Sequence, residues 1–96
     1  MKFKDFEPGT IVVFINEHNN RYIAELTGNG YNCDNISLAH TENPLWHKGS
    51  GSLGQEGPER EGFSKPTLEE ILWFRACQKA NTIVPKSKHS QLPIFN

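Results

Sequence analysis

Aromatic residues and arginines are the side chains of this chain whose chemistry suits a ligand. A flat ring offers a surface on which a base can stack, and a guanidinium can pair with a phosphate through two parallel hydrogen bonds. The aromatic candidates are Tyr22, Tyr31, Trp46, Trp73 and Phe74, and the basic ones are Arg21, Arg60 and Arg75. Most of the rings should belong to the core. A tryptophan in a Gly-rich loop is costly to expose unless it packs at a binding site or interface, so we expect Trp46 to bind.

These residue types favour a ligand site, and the resemblance described at the end of this subsection implies that its ligand is nucleotide-like. In it, Trp46 or Tyr22 would stack on the base, and Arg75 or Arg21 would hold a diphosphate. Such a pocket needs binding groups and no reacting group, because tight retention without turnover would be its whole activity.

Residues 49–54 match the pattern GxGxxG, whose glycines let backbone N–H groups approach a phosphate. A dinucleotide fingerprint must follow a strand and open a helix, whereas residues 55–58 continue a loop. The match therefore does not predict a Rossmann site. Two interpretations stay open, a local anion-binding nest that includes Gly49 and Gly51, and a flexible loop that closes over a pocket.

The usual catalytic combinations are missing from the sequence. The four histidines lie in predicted turns, loops or tail, without the spacing of a helical metal site. Cys33 and Cys77 are single residues, typical of buried thiols in a cytosolic domain. Glu69 and Glu70 are explained by the helix start, where carboxylates are favourable. We expect a protein without enzymatic activity, metal or cofactor.

Length and charge limit the class of protein further. Ninety-six residues with a mean hydropathy of −0.60 support a single polar domain with a modest core. A formal charge of −1 provides no global field to hold nucleic acid or an anionic membrane. Residues 1–6 carry charges and lack the apolar centre of a signal peptide. These features predict a cytoplasmic protein that binds neither membrane nor nucleic acid.

One helix can be predicted with its bounds, over residues 66–81. Thr67 is a good N-cap, and Glu70 three residues later completes a capping box. Apolar residues surround most of this helix, which is unusual for a small monomer. Either a small sheet covers one side while loop and tail cover the rest, or a second subunit covers it. In the second case the interface would contain Ile71, Trp73, Phe74 and Cys77.

The front of the chain has the pattern of an antiparallel meander. Residues 10–15 and 21–26 are rich in β-branched and aromatic residues, and residues 31–33 and 36–39 can supply two shorter strands. We predict an α+β domain, with a β-meander or SH3-like open barrel over residues 1–40 and one C-terminal helix. Residues 41–65 are predicted to be a long flexible Gly-rich loop, and residues 82–96 an extended tail.

Residues 66–73, with Cys77, Ala80, Val84 and Pro85, resemble the end of many short phage-encoded proteins. In layout the chain is similar to the anti-Thoeris sponges, a family with an N-terminal antiparallel sheet and C-terminal helices. The family assembles as oligomers and sequesters immune signals of the cyclic ADP-ribose type between subunits. The resemblance implies a homo-oligomeric anti-defence sponge in the host cytoplasm. The alternative is an inhibitor or adaptor that binds a host or phage protein through the apolar helix face and the tail at 92–95.

Overall fold

A computed structural model describes residues 1–26, 33–39, 42–49 and 57–85 of the chain. A short 3₁₀ turn comes first, followed by five strands and one helix. The elements are the 3₁₀ turn Phe3–Asp5, β1 Ile11–Ile15, β2 Arg21–Glu25, β3 Asn35–Ser37, β4 Leu45–His47, β5 Phe63–Ser64 and α1 Leu68–Ala80.

All five strands belong to one antiparallel sheet with the order β4-β3-β2-β1-β5. The first four strands form a meander, because each pairs with the next one along the chain. β5 then returns to the far side of β1, where Phe14 lies opposite Phe63. The sheet is open, with β4 and β5 at its edges. This architecture confirms the predicted α+β class, in the form of a meander with one C-terminal helix.

The alternation of side chains divides the sheet into two buried faces. Ile11, Val13, Ile23 and Ile36 belong to the cluster that packs under α1, and we call this side the helix face. The opposite cluster, on what we call the second face, contains Val12, Phe14, Ala24, Leu26, Cys33 and Phe63. Successive residues of a strand point to opposite faces, so β1 needs apolar residues at consecutive positions. Its Ile-Val-Val-Phe run supplies them.

The helix lies within the predicted range of 66–81 but is shorter, from Leu68 to Ala80, and both of its ends are specified locally. At its start, the backbone N–H of Glu70 donates to Thr67 Oγ1 at 3.1 Å, and the N–H of Thr67 donates to Glu70 Oε1 at 2.9 Å. This reciprocal capping box satisfies two backbone donors that the helix leaves without partners. At its end, Asn81 takes a left-handed conformation with φ of 56°, and its N–H donates to carbonyls of the last turn.

The predicted subunit interface is corrected by the packing of α1. Trp73, Phe74 and Cys77 are 5%, 0% and 0% exposed, and Ile71 is half-buried against the same cluster. The sheet covers one side of these residues, and Ile83 and Val84 after the helix also pack against the cluster. These side chains therefore have almost no surface to offer a second subunit. The alternative role in protein binding also named the tail at 92–95, which lies outside the described residues.

The loop predicted over residues 41–65 is wrong at two places, Leu45–His47 and Phe63–Ser64, which form β4 and β5. Strands of three and two residues are too short to show a period in the sequence, and their partners lie far away in the chain. The remaining predicted strands are confirmed at β1, β2 and β3. Several predicted features lie outside the described residues: most of the strand at 31–33, the glycines at 51 and 54, and the tail from 86.

The N-terminal segment covers part of the second face. The N–H groups of Phe3 and Lys4 donate to the carbonyls of Arg60 and Pro58 at 2.8 and 3.0 Å. The Phe3 ring meets the Phe63 ring edge-on at 5.7 Å. The ammonium groups of Lys2 and Lys4 each lie 2.7 Å from Glu59 and lower the pKa of its carboxyl. The segment before β5 is thereby held between β1 and the N-terminal segment.

Candidate functional site

On the helix face, two predicted ligand-binding arginines are already paired with glutamates. Arg21 Nη2 lies 3.0 Å from Glu70 Oε2, and Arg75 Nη1 donates to Glu25 Oε2. The glutamate side chains are only 18% and 26% exposed. Both pairs join β2 to α1, so each guanidinium holds the helix on the sheet.

The Arg75 pair belongs to a larger network, which we call the helix-side network. Gln78 Nε2 donates to Glu25 Oε1 and to Asp34 Oδ2, both at 3.0 Å, while Gln78 Oε1 accepts from Arg75 at 2.7 Å. The other Asp34 oxygen accepts from the N–H of Gly49 at 2.7 Å. Such connected hydrogen bonds stabilise a polar contact between elements. Sequence reasoning did not select Glu25, Asp34 or Gln78, because no local pattern brings these three positions together.

Trp46 packs against the helix. It lies opposite Ile36 in the sheet, and its ring meets Phe74 edge-on with centroids 5.6 Å apart. Its Nε1–H donates to Asn81 Oδ1 at 3.3 Å. The Arg75 guanidinium carbon lies 5.9 Å from the same Phe74 ring. The structure therefore brings Trp46 and Arg75 to one ring, as parts of the packing between α1 and the sheet.

The sheet separates Tyr22 from these residues. Tyr22 packs against the cluster of the second face, and its ring centroid is 6.3 Å from that of Phe14. Gly49 has a φ of +67°, and its N–H, the group that an anion nest would use, is bound by Asp34. Gly51 lies outside the described residues. The predicted pocket of Trp46, Arg75, Arg21, Tyr22 and the two glycines is thus not one site.

A cleft of about 300 Å³ lies at the end of β1, beside the Phe14 ring. It is lined by Phe14, Ile15, Asn16, Glu17, Arg60, Glu61 and Gly62. We call it the Arg60 cleft. Its volume is at the lower end of the range for small-molecule sites, which runs from about 300 to about 1,000 Å³.

The Arg60 guanidinium lies over an aromatic ring in this cleft. Its guanidinium carbon lies 4.8 Å from the Phe14 centroid, within the range of a cation–π interaction. Its Nη2 is 3.5 Å from Glu17 Oε2, at the long limit of a hydrogen bond. The Arg60 side chain is 14% exposed, whereas that of Glu17 is 67% exposed. The cation is therefore well positioned, while its carboxylate partner stands largely in solvent.

Local backbone geometry builds both walls of the cleft. Gly62 has a φ of +100°, and a Cβ at this position would lie 2.5 Å from the Ile15 carbonyl oxygen. Its own carbonyl accepts from the N–H of Ile15 at 3.0 Å. On the other wall, Asn16 Oδ1 accepts from the N–H groups of His18 and Asn20 at 3.0 and 2.9 Å. The glycine permits the close approach, and the asparagine holds the turn that carries Glu17.

The three arginines of the chain differ in the length and exposure of the ion pairs described above. Arg21 and Arg75 have shorter contacts to half-buried carboxylates, whereas Arg60 has a contact of 3.5 Å to an exposed one. Exposed ion pairs contribute little free energy, so the contact between Arg60 and Glu17 itself should contribute least of the three. Arg60 was one candidate cation in the sequence, but nothing there distinguished it from the other two.

Two further searches concern metals and membranes. In the part of the chain that the structure describes, His, Cys, Asp and Glu side chains form no group of three or more suited to a metal ion. Within the same residues, no helix has the length and apolarity needed to cross a bilayer. Comparison of the chain with protein-family models, with curated proteins and with solved structures gives no match.

Proposed function

We propose that this chain is a non-catalytic binding protein that holds a small nucleotide-derived signal in the Arg60 cleft. The observation that carries this proposal is the Arg60 guanidinium, which lies over the Phe14 ring in a cleft, 3.5 Å from the exposed Glu17 carboxylate. A guanidinium fixed in advance loses little conformational freedom when it binds an anion. Arg60 thus takes the phosphate-binding role first assigned to Arg75.

Tyr22 keeps its expected role as the stacking residue. The Arg60 guanidinium carbon lies 4.8 Å from the centroid of the Phe14 ring, and the Tyr22 ring centroid lies 6.3 Å from it. Tyr22 does not line the cleft, but it belongs to the same face of the sheet as Phe14, and we propose that the base of a ligand held by Arg60 extends towards it. Stacking of a base on an aromatic side chain contributes about 1–3 kcal/mol, with little dependence on which base it is.

The resemblance of residues 66–85 to phage-encoded proteins supports sequestration as the biological role. A phage-encoded anti-defence sponge acts in the host cytoplasm and needs no turnover, which agrees with a site built from binding groups. Signals of the cyclic ADP-ribose class are the first ligands to test. Self-association is part of the proposal, and it would have to use a surface other than the buried residues of α1.

Native mass spectrometry of the purified protein tests this function directly. The protein is measured alone, and then with cyclic ADP-ribose isomers and with cyclic mono-, di- and trinucleotides. We expect whole ligands to bind and to be recovered unchanged after denaturation, and the mass of the free protein gives the oligomeric state. Arg60→Met keeps an unbranched side chain on Phe14 while it removes the charge, and it should lose the ligand.

Arg75→Met is the matched control, because it removes the same charge from the helix face. It should keep the ligand while it loses some stability. Ligand binding that survives in Arg60→Met and disappears in folded Arg75→Met would overturn the proposed site. A ligand that is consumed over time would overturn the proposed absence of catalysis.

A further inference from the structure

We propose that the N-terminal segment, residues 1–6, positions Arg60 in its cleft through the hydrogen bond from the Phe3 N–H to the Arg60 carbonyl. Release of this segment would then remove a positioned cation from the cleft without any change in the rest of the sheet. The inference goes beyond the proposed function, because it concerns how the cleft is built and requires no ligand.

The segment that carries Arg60 is an irregular turn between two glycines. Gly57 and Gly62 both have a positive φ, of +94° and +100°, and the Arg60 N–H donates to the Gly57 carbonyl at 3.2 Å. Residues 57–62, which the structure describes in full, belong to neither a helix nor a strand. Because such a turn has few hydrogen bonds of its own, we expect its conformation to depend on contacts with neighbouring segments.

The N-terminal segment supplies two such contacts from its backbone. The Phe3 N–H donates to the Arg60 carbonyl at 2.8 Å, and the Lys4 N–H donates to the Pro58 carbonyl at 3.0 Å. The first of these bonds fixes the backbone of Arg60 itself. The Arg60 side chain can then extend from a fixed point towards the Phe14 ring.

Ion pairs between the same two segments add less. The ammonium groups of Lys2 and Lys4 each lie 2.7 Å from Glu59, the residue before Arg60. These three side chains are 39%, 51% and 61% exposed, and exposed pairs contribute little free energy. The backbone hydrogen bonds are therefore the part of the contact to test first.

Aromatic rings connect Phe3 to the cleft by a second route. The Phe3 centroid lies 5.7 Å from that of Phe63, and the Phe63 centroid lies 4.7 Å from that of Phe14. Phe14 is the ring under the Arg60 guanidinium. A test of the hydrogen bond must therefore remove the Phe3 N–H and the Phe3 ring separately.

Phe3→Pro and Phe3→Ala achieve this separation. Both substitutions remove the ring, but only proline also removes the N–H that donates to Arg60. Phe3 is the first residue of the 3₁₀ turn, and the first position of a helix accepts proline. Lys2 before it has φ of −95° and ψ of 158°, the extended conformation that a residue before proline prefers. The backbone can therefore keep its course in both variants.

Nuclear magnetic resonance measures the position of Arg60 directly. Protons that lie over the face of an aromatic ring are displaced upfield, so the Arg60 Cδ protons should be displaced relative to the urea-unfolded protein. Phe3→Ala should retain this displacement, and Phe3→Pro should lose most of it. Arg75, whose guanidinium carbon lies 5.9 Å from the Phe74 centroid, is the internal control for the fold and should not change.

Equal displacements of the Arg60 protons in the two variants, with Arg75 unchanged, would overturn the inference. If Phe3→Pro does not fold, Glu59→Lys decides, since this side chain is 61% exposed. It brings three ammonium groups together and should reduce the displacement, and Lys2→Glu with Lys4→Glu should restore it. A native displacement in Glu59→Lys would overturn the inference too. No ligand enters these measurements, so this inference and the proposed function fail independently.

Discussion

The two sides of the sheet contain similar residues used in different ways. On the helix face, Arg75 is part of a network in which Glu25, Gln78 and Asp34 satisfy one another at short distances. At the Arg60 cleft, an arginine of the same charge lies on an aromatic ring and has a distant, exposed carboxylate partner. The helix face contains an arginine that connects structural elements. The cleft contains one that lies over a ring beside a cavity.

The comparison shows which property of an arginine indicates a ligand site. Exposure alone would favour Arg75, whose side chain is 47% exposed, over Arg60 at 14%. The length of the ion pair, the exposure of the partner and the adjacent cavity favour Arg60. A cation that is already positioned beside a cavity is the better candidate, because a ligand can reach it without opening the fold.

Replacing Phe74 by alanine should have the largest effect on the free energy of unfolding, because it disrupts the packing of α1 on the sheet. Phe74 is 0% exposed and contacts the rings and stems that join α1 to the sheet, Trp46 and Arg75 among them. Loss of a buried phenylalanine lowers the free energy of unfolding by about 3–5 kcal/mol. Urea unfolding of the native protein and of the variant measures this loss. Leu68→Ala, at a side chain that is 59% exposed, is the control and should change stability by less than about 0.5 kcal/mol.

Gly62→Ala should have the next largest effect on stability, and it should disrupt the wall of the Arg60 cleft. The φ of +100° disfavours any side chain, and the new Cβ would clash with a backbone carbonyl 2.5 Å away. We expect a loss of at least about 2 kcal/mol and loss of ligand binding, because the wall of the cleft must move.

Gly9→Ala separates the strain of a positive φ from the steric clash, the two causes of the loss expected for Gly62→Ala. Gly9 also has a positive φ, of +86°, but a Cβ there would meet no atom within 4 Å. It should therefore cost only the conformational part, about 1–2 kcal/mol. Equal losses at the two glycines would show that the close approach between Gly62 and β1 does not support the cleft.

The sequence predicted the features that depend on residues close together in the chain, and it missed those that depend on distant residues. The start of α1 was predictable because Thr67 and Glu70 cap each other within one turn. β1 and β2 were predictable because their residue types and alternation are local signals. β4 and β5 were not, since three and two residues have no period and depend on distant partners.

The candidate site was predictable only in its residue types. Arg60 and Phe14 are 46 positions apart, and only the return of β5 to β1 brings their segments together. Trp46 was chosen because it lies in a Gly-rich segment, but β4 places it against Phe74. A tryptophan next to glycines can be an anchor of the core as well as a binding residue, and only the pairing of the strands distinguishes the two.

Alkaline pH should lower the free energy of unfolding through the buried thiol of Cys77. Burial raises the pKa of its thiol, an effect that the Val84 N–H donating to Sγ at 3.2 Å partly opposes. The raised pKa favours the protonated thiol in the fold, so this stabilisation is complete below the ordinary thiol pKa and decreases as pH rises through the folded value. Urea unfolding at about pH 7.5 and about pH 10.5 should therefore give a steeper loss in the native protein than in Cys77→Ala. Equal losses would contradict the assignment to this thiol.

The smallest expected effects are the coupling energies of the two ion pairs, measured by double-mutant cycles on the free energy of unfolding. These energies test directly whether the two arginines differ in how they are paired. Arg75→Met with Glu25→Gln should give a coupling energy of about 0.5–1 kcal/mol, because the carboxylate is half-buried and shares its network with Gln78. Arg60→Met with Glu17→Gln should couple by less than about 0.3 kcal/mol, because the contact is long and Glu17 is exposed. High salt should reduce both couplings by screening. A stronger coupling at Arg60 than at Arg75 would reverse the comparison. It would mean that the ion pair in the cleft is structural, and that a ligand anion would have to break it at a cost to the fold.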